Sequence, residues 1–271
     1  MNMRPSRILE KLRKGEVVNC YKTNIACSRP VEIAGMFGFD CMWVDMEHTV
    51  FDWLLVEKQI LAAKVYNMDV LVRVSRGGYS DYIKALELDA TGIMVPHVMS
   101  LADAKYVVRT TRFHPVGRRP VDGGNADGAY CNLDFVEYLR QANRERFVII
   151  QIEDPEPLDE LDAICAVDGI DMIFFGPGDF SHGIGAAGQW SDPRIARARK
   201  QIVETALRHG KFDGTVGGLE NMNELIDMGY RFLSIGADVV AVSQQCRELV
   251  TGWNKNLDER KRGATPGKKH G

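Results

Sequence analysis

The sequence predicts an α/β protein whose parallel strands close on themselves, and three observations lead there. A chain of 271 residues with 45% hydrophobic content is long enough for one large α/β core or two small ones, and no linker composition divides it. From Val17 onward, short apolar runs alternate with helical patterns, the order of a parallel sheet wrapped by helices. The runs are continuously apolar rather than alternating, as strands covered on both faces are. Eight such runs fit a single (β/α)8 TIM barrel over residues 1–257 better than an open sheet, with an additional C-terminal helix.

Val17 to Tyr21 reads as the first strand, followed by a short helix from Pro30 to Phe37 that Gly38 closes. The second strand, Cys41-Met42-Trp43-Val44-Asp45, ends in Met46-Glu47-His48, and an amphipathic helix covers Trp53 to Tyr66. Val70 to Val74 is the third strand and Asp81 to Leu88 a helix. Gly92 to Pro96 is the fourth strand, and Leu101 to Thr111 is a helix that Ser100 caps. The array then breaks at Phe113 to Tyr130, a Gly-, Pro- and Asp-rich stretch of the length that ordered lids and binding loops have. Leu133 to Asn143 resumes as helix, Phe147 to Ile152 is the fifth strand, Leu158 to Ala166 a helix and Met172 to Phe175 the sixth strand. Gly176 to Gly188 reads as a turn and Pro193 to His209 as a long helix. Lys211 to Val216, the weakest of the eight, and Phe232 to Ile235 supply the last strands, with a helix from Glu220 to Met228 between them. Val239 to Trp253 is the final helix, and the basic tail 258–271, with no apolar residue beyond Ala264, is expected to be disordered.

Net charge is −3 with Lys and Arg scattered, so no nucleic-acid footprint is expected and the substrate is a small molecule. The six cysteines show no C-x-x-C spacing and several lie in apolar runs, which points to a reducing cytoplasm. Met1 to Lys14 lacks the apolar stretch of a signal peptide, and nothing approaches membrane-spanning length.

In barrels of this kind chemistry sits at the C-terminal ends of the strands. That rule selects Asp45 and His48 after strand two, Arg73 at the end of strand three, Glu153 after strand five and Asp179 after strand six. Two carboxylates one helix apart suit a hard divalent cation that keeps positions open for substrate. Arginine presents a planar fork to a carboxylate or enolate oxygen, and histidine moves protons near neutrality. Together they imply enolate chemistry on a 2-keto acid. Plainer roles stay open: Glu153 as a helix cap near Pro155, Asp179 as a turn former, His48 as a cap and Arg73 as a partner of Asp45 or Glu47. His97, His114 and His182 are further candidates, and Gly176-Pro177-Gly178 is a tight turn that exposes backbone N–H groups to an anion.

The ordered set Gly38-Phe39-Asp40, Val44-Asp45-Met46-Glu47-His48, Val72-Arg73, Ile93-Met94-Val95-Pro96, Thr111-Arg112-Phe113-His114-Pro115-Val116-Gly117, Gln151-Ile152-Glu153 and Gly176-Pro177-Gly178-Asp179-Phe180-Ser181 resembles the HpcH/HpaI aldolases. These are class II, metal-dependent enzymes acting on 4-hydroxy-2-keto acids and 2-keto-3-deoxy sugar acids, and the resemblance runs from Val17 to about Trp253. It implies Glu153 and Asp179 as ligands of Mg²⁺, Mn²⁺ or Co²⁺, His48 as general base and Arg73 as stabiliser of the pyruvate enolate. Gln151, Asp179 and the backbone at Gly178 would bind the keto acid, with an aldehyde as the second product. It further implies a homo-oligomer, a hexamer with an exchanged C-terminal helix. Glu87 matches an acidic residue that raises the histidine's basicity, and since it precedes strand four at the opposite rim, it would reach His48 of a neighbouring subunit. The chain departs from the family at Gly178, where Ala is usual, at Thr49, and after Gly117, where Arg118-Arg119-Pro120-Val121-Asp122-Gly123-Gly124 replaces a short turn. Two other readings remain: a CoA-ester lyase of the citrate-lyase β type, with Arg118 and Arg119 on the CoA phosphates, and a keto-acid-binding barrel without turnover.

Overall fold

The computed structural model describes residues 1–263. Eight strands, β1 (Val18–Thr23), β2 (Cys41–Asp45), β3 (Asp69–Arg73), β4 (Gly92–Val95), β5 (Phe147–Ile152), β6 (Met172–Phe175), β7 (Phe212–Val216) and β8 (Phe232–Ala237), close into a barrel in chain order. Every neighbouring pair is parallel, including β8 with β1 through Val18↔Phe232. The helices are α1 (Arg7–Arg13), α2 (Arg29–Met36), α3 (Trp53–Val65), α4 (Tyr79–Glu87), α5 (Leu101–Thr111), α6 (Phe135–Glu145), α7 (Leu161–Cys165), α8 (Pro177–Gly183), α9 (Pro193–Arg208), α10 (Met222–Met228) and α11 (Asp238–Gly263). No helix among the described residues is long and apolar enough to cross a membrane.

Side-chain alternation splits the core in two. Outward residues such as Val44, Val72, Ile150 and Phe175 pack under the helices. Inward residues, among them Leu71, Met94, Phe147, Phe174 and Phe232, fill the barrel. β7 belongs to the sheet despite its polar sequence because its one inward glycine fits the space left by large rings. A Cβ on Gly214 would stand 2.7 Å from Phe174 and 3.2 Å from Phe232.

The structure adds to the predicted elements and corrects three of them. Helix α1 was not anticipated: its Ile8, Leu9 and Leu12 are buried in the barrel-interior cluster and seal the N-terminal end. Ser6 Oγ and the Ile8 N–H donate to Asp69 Oδ2 at 2.8 and 2.9 Å, tying the plug to β3. The expected turn after Gly176 contains α8, with Pro177 at its first position, where a fixed φ suits a helix start. The last helix runs through Gly263, so the first six residues of the expected disordered tail, Asp258 to Gly263, are helical, and 264–271 lie outside the described residues. The 113–130 stretch follows α5 and lies at the barrel's N-terminal end, so it is not a lid over this chain's own mouth. Arg112, at its start, donates to the Gly169 and Asn143 carbonyls and pairs with Asp171, all groups that precede β5 or β6.

Asp213 on β7 faces away from the barrel axis, fully buried, and neither carboxyl oxygen has a hydrogen-bond partner among the described residues. Burial pushes this carboxyl from its ordinary 3.8 up to about 9. The folded state therefore holds a proton that the unfolded chain releases, and this group's contribution to stability declines as pH rises from the lower to the higher value. We expect Asp213→Asn to flatten the decline, whose slope for one proton is at most about 1.4 kcal/mol per pH unit. Urea unfolding at a series of pH values measures it, and parallel wild-type and variant curves would contradict a protonated Asp213.

Candidate active site

The last inward positions of the first three strands carry charge. Lys22 follows Val18 and Cys20 on β1, Asp45 follows Cys41 and Trp43 on β2, and Arg73 follows Leu71 on β3. The β2–β3 register sets Asp45 directly beside Arg73. Asp45 is fully buried and receives Arg73 Nε on Oδ1 at 2.9 Å, Arg73 Nη2 on Oδ2 at 2.7 Å and the Glu47 N–H on Oδ1 at 3.1 Å. Lys22 Nζ lies 2.8 Å from Oδ2. Burial opposes ionisation of Asp45, but Arg73 and Lys22 outweigh it and hold the carboxyl at about 2. Beneath both cations lies the Trp43 ring, 4.8 Å from the Arg73 guanidinium and 5.0 Å from Lys22 Nζ.

A second cluster forms at the ends of β4 and β5. Glu153 is 1% exposed; its Oε1 accepts the His97 N–H at 3.0 Å and its Oε2 accepts from the Gln151 amide. Burial pushes the Glu153 carboxyl up to about 7, against His97 and Arg73, which lower it. His97 has a left-handed φ of 49°, and its Nδ1 lies 2.8 Å from Asp154 Oδ2. Glu47 bridges the two clusters, with Oε2 at 3.2 Å from Arg73 Nη1 and Oε1 at 3.7 Å from His97 Nε2. Gly176, at the end of β6, leaves room for this cluster: a Cβ there would meet Glu153 Oε2 at 2.8 Å and Gln151 Nε2 at 3.0 Å.

Of the sequence-selected residues, Asp45, Arg73, Gln151 and Glu153 share this mouth. Asp179 and Gly178 lie on the exposed first turn of α8, beyond β6, the strand that pairs with β5. His48 sits on the loop after β2 with its side chain 55% exposed and its Nε2 3.5 Å from Glu47. Glu87 ends α4 at the opposite end of the barrel, where burial raises its pKa and Arg119, Asp127 and Asp122 are its charged neighbours. Arg119, 4% exposed, is committed to Asp127 at 2.7 Å, and Arg118 Nη1 lies 2.7 Å from His114 Nδ1. Neither arginine is at the mouth of this chain's own barrel; both lie at the opposite end, with Glu87.

Sequence reasoning missed Lys22 and left Glu47 and His97 in secondary roles. The signal for Lys22 was the one that found Arg73, a lone cation at the C-terminal end of an apolar run. Among the described residues no group of three or more His, Cys, Asp or Glu side chains is disposed to hold a metal. Glu153 is a buried carboxylate and the adjacent Gln151 Oε1 is buried with no hydrogen bond, oxygen donors of the kind a hard cation shared with a ligand takes, while Asp179 stands exposed on α8.

The sequence matches the family described as HpcH/HpaI aldolase/citrate lyase over residues 25–244. It is 30% identical to a hydroxypyruvate/pyruvate aldolase of Pseudomonas aeruginosa across 92% of this chain and 93% of that one. It is 27% identical to a 5-keto-4-deoxy-D-glucarate aldolase of Enterobacter sp. (strain 638), across 93% and 98%. Among solved structures it resembles an HpcH/HpaI aldolase from Desulfitobacterium hafniense, with a TM-score of 0.85, 27% identity and coverage of 90% and 95%. The citrate synthase SbnG is similar at a TM-score of 0.85 and 25% identity, with coverage of 93% and 99%.

The two glycines of the β6–α8 junction give opposite expectations. Gly176→Ala drives a methyl group into Glu153, and displacement of a reacting group by about 1 Å costs on the order of 10²-fold in turnover. A Cβ on Gly178 meets nothing within 4 Å. Gly178→Ala is expected to stay within about twofold of wild type, well under the 1.4 kcal/mol that a tenfold change represents. Steady-state kinetics on a 4-hydroxy-2-keto acid separates the two, and equal effects would show that the close packing of Glu153 on Gly176 does not matter to the site.

Proposed function

Because the chain belongs to the HpcH/HpaI aldolase/citrate lyase family, we propose that it is a carbon–carbon lyase that cleaves a 4-hydroxy-2-keto acid to pyruvate and an aldehyde. The observation that carries this reading is the buried Glu153 beside the unpartnered Gln151 Oε1, linked through His97 and Glu47 to the buried Asp45–Arg73 pair in one mouth. The names of the two aldolase relatives agree with it.

Glu153 and Asp179 would hold a divalent cation, Mg²⁺, Mn²⁺ or Co²⁺. When bound, such an ion polarises the keto group as a Lewis acid. The rest of the work falls to the chain's own residues. Gln151 and the Gly178 N–H orient the keto acid, and the His97 N–H fixes one oxygen of Glu153. His48, the exposed imidazole at the rim, takes the proton of the C4 hydroxyl. The C3–C4 bond then breaks, its electron pair passes to the keto-acid half as an enolate, and the aldehyde leaves. Arg73, held over the Trp43 ring by Asp45, faces the negative charge that develops on the enolate oxygen. Protonation at C3 yields pyruvate.

A homo-oligomer, and by family resemblance a hexamer, belongs to the same proposal. Glu87 at the far rim would serve His48 of a neighbouring subunit. Helix α11 supports this, since Val242, Leu249, Val250 and Trp253 are more than half exposed along it. A reducing cytoplasm fits the six unpaired cysteines.

Retro-aldol cleavage of a panel of hydroxy-keto acids with Mg²⁺, Mn²⁺ and Co²⁺, followed by pyruvate release, tests the reading. Chelation and Glu153→Ala are each expected to cut turnover by about 10³-fold or more, the scale of several kcal/mol of charge stabilisation, with activity returning when metal is restored to the wild type. Turnover that survives both would end the proposal. Oxalate binding by calorimetry without cleavage of any substrate would instead identify a binding barrel.

A further inference from the structure

We propose that Lys22 is a positioning residue that lets Arg73 act as a net cation in the lyase reaction, an inference that rests on the function proposed above. Arg73 alone does not meet that requirement. Its side chain is 5% exposed and faces two carboxylates, Asp45 at 2.7 Å and Glu47 at 3.2 Å, so one guanidinium is set against two anions. An enolate formed beside that trio would add a third negative charge to a patch already one unit negative. Lys22 restores the balance: its ammonium reaches Asp45 Oδ2, the oxygen that also takes Arg73 Nη2. The buried carboxylate is shared between two cations, and Arg73 is less completely neutralised by it.

The geometry suits this role. Lys22 and Arg73 lie over the same Trp43 ring, so the indole fixes the spacing of the two cations around one carboxylate. Lys22 enters from β1, bonded to β2 through Lys22↔Trp43, whereas Arg73 enters from β3 on the other side of Asp45. The Lys22 side chain is 22% exposed, so its stem reaches the buried carboxylate from the solvent side of the mouth.

Exchange of the C3 hydrogens of pyruvate with D2O, followed by NMR in the Mg²⁺-loaded protein, reads enolate formation without any aldehyde. Lys22→Met keeps a stem over Trp43 and removes the charge. It is expected to slow exchange at saturating pyruvate by at least about tenfold, with KM within about threefold and an unchanged melting temperature. Lys22→Arg should recover most of the rate. Asp45→Asn should cost less in the Lys22→Met background than in the wild type, because it removes the anion that Lys22 offsets. Lys22→Met with wild-type exchange, or a loss that Lys22→Arg does not relieve, or additive effects of the two substitutions, would each overturn the proposal. A wild-type protein with no exchange would strike the lyase reading itself, an outcome distinct from a failure at Lys22.

Discussion

A closed barrel of eight strands sends every second side chain to one axis, and whatever arrives there must pack or pair. The lower layers of this barrel pack. Gly92 and Gly214 stand where a Cβ would strike Phe147 or Phe174, and α1 seals the end with three apolar residues. The upper layer pairs. Lys22, Asp45 and Arg73 reach the same level, where Asp45 and Arg73 are buried and Lys22 is partly exposed, and they bond one another above Trp43. Buried ion pairs of this kind contribute little net stability once desolvation is counted. Their presence is better explained by what they hold in place, a guanidinium fixed at the barrel mouth between Asp45 and Glu47.

Much of this was legible in the sequence. Continuous apolar runs ending in charge identified β2, β3, β5 and β6, and with them Asp45, Arg73, Glu153 and the Gly176 junction. What escaped notice did so for physical reasons. Helix α1 has seven residues and four charged side chains, so its three buried positions leave no periodicity long enough to read. Lys22 was hidden because β1 extends to Thr23, two residues beyond the expected end, which moved the lysine from a loop to the barrel interior. The placement of Arg119 and the 113–130 stretch depends on the antiparallel course of α5, a property of the closed fold rather than of the loop's composition. His97 was visible at a strand end, but its backbone bond to Glu153 and its left-handed φ are tertiary facts.

The two ends of the barrel divide the labour. At the N-terminal end Arg112 and Arg146, at the ends of α5 and α6, pair with Asp171 and Asp89, which precede β6 and β4, and Arg119 pairs with Asp127 within the 113–130 stretch. The C-terminal end keeps buried polar atoms without partners, Gln151 Oε1 and the Trp43 Nε1 among them. Buried polar atoms without partners occur at the N-terminal end too, Arg119 Nε, Asp127 Oδ1 and Arg146 Nε among them, so what sets the C-terminal end apart is the convergence of strand-end charges on one mouth.

Trp43 also gives the molecule an optical handle. Of four tryptophans, Trp190 and Trp253 are 64% and 67% exposed, while Trp43 is 3% exposed and lies under two cations. Its emission is therefore blue-shifted relative to the solvent-facing indoles and sensitive to the electric field of the charges above it. An anion entering the mouth changes that field before any bond is broken, so the light emitted by this one ring reports occupancy of the mouth separately from chemistry.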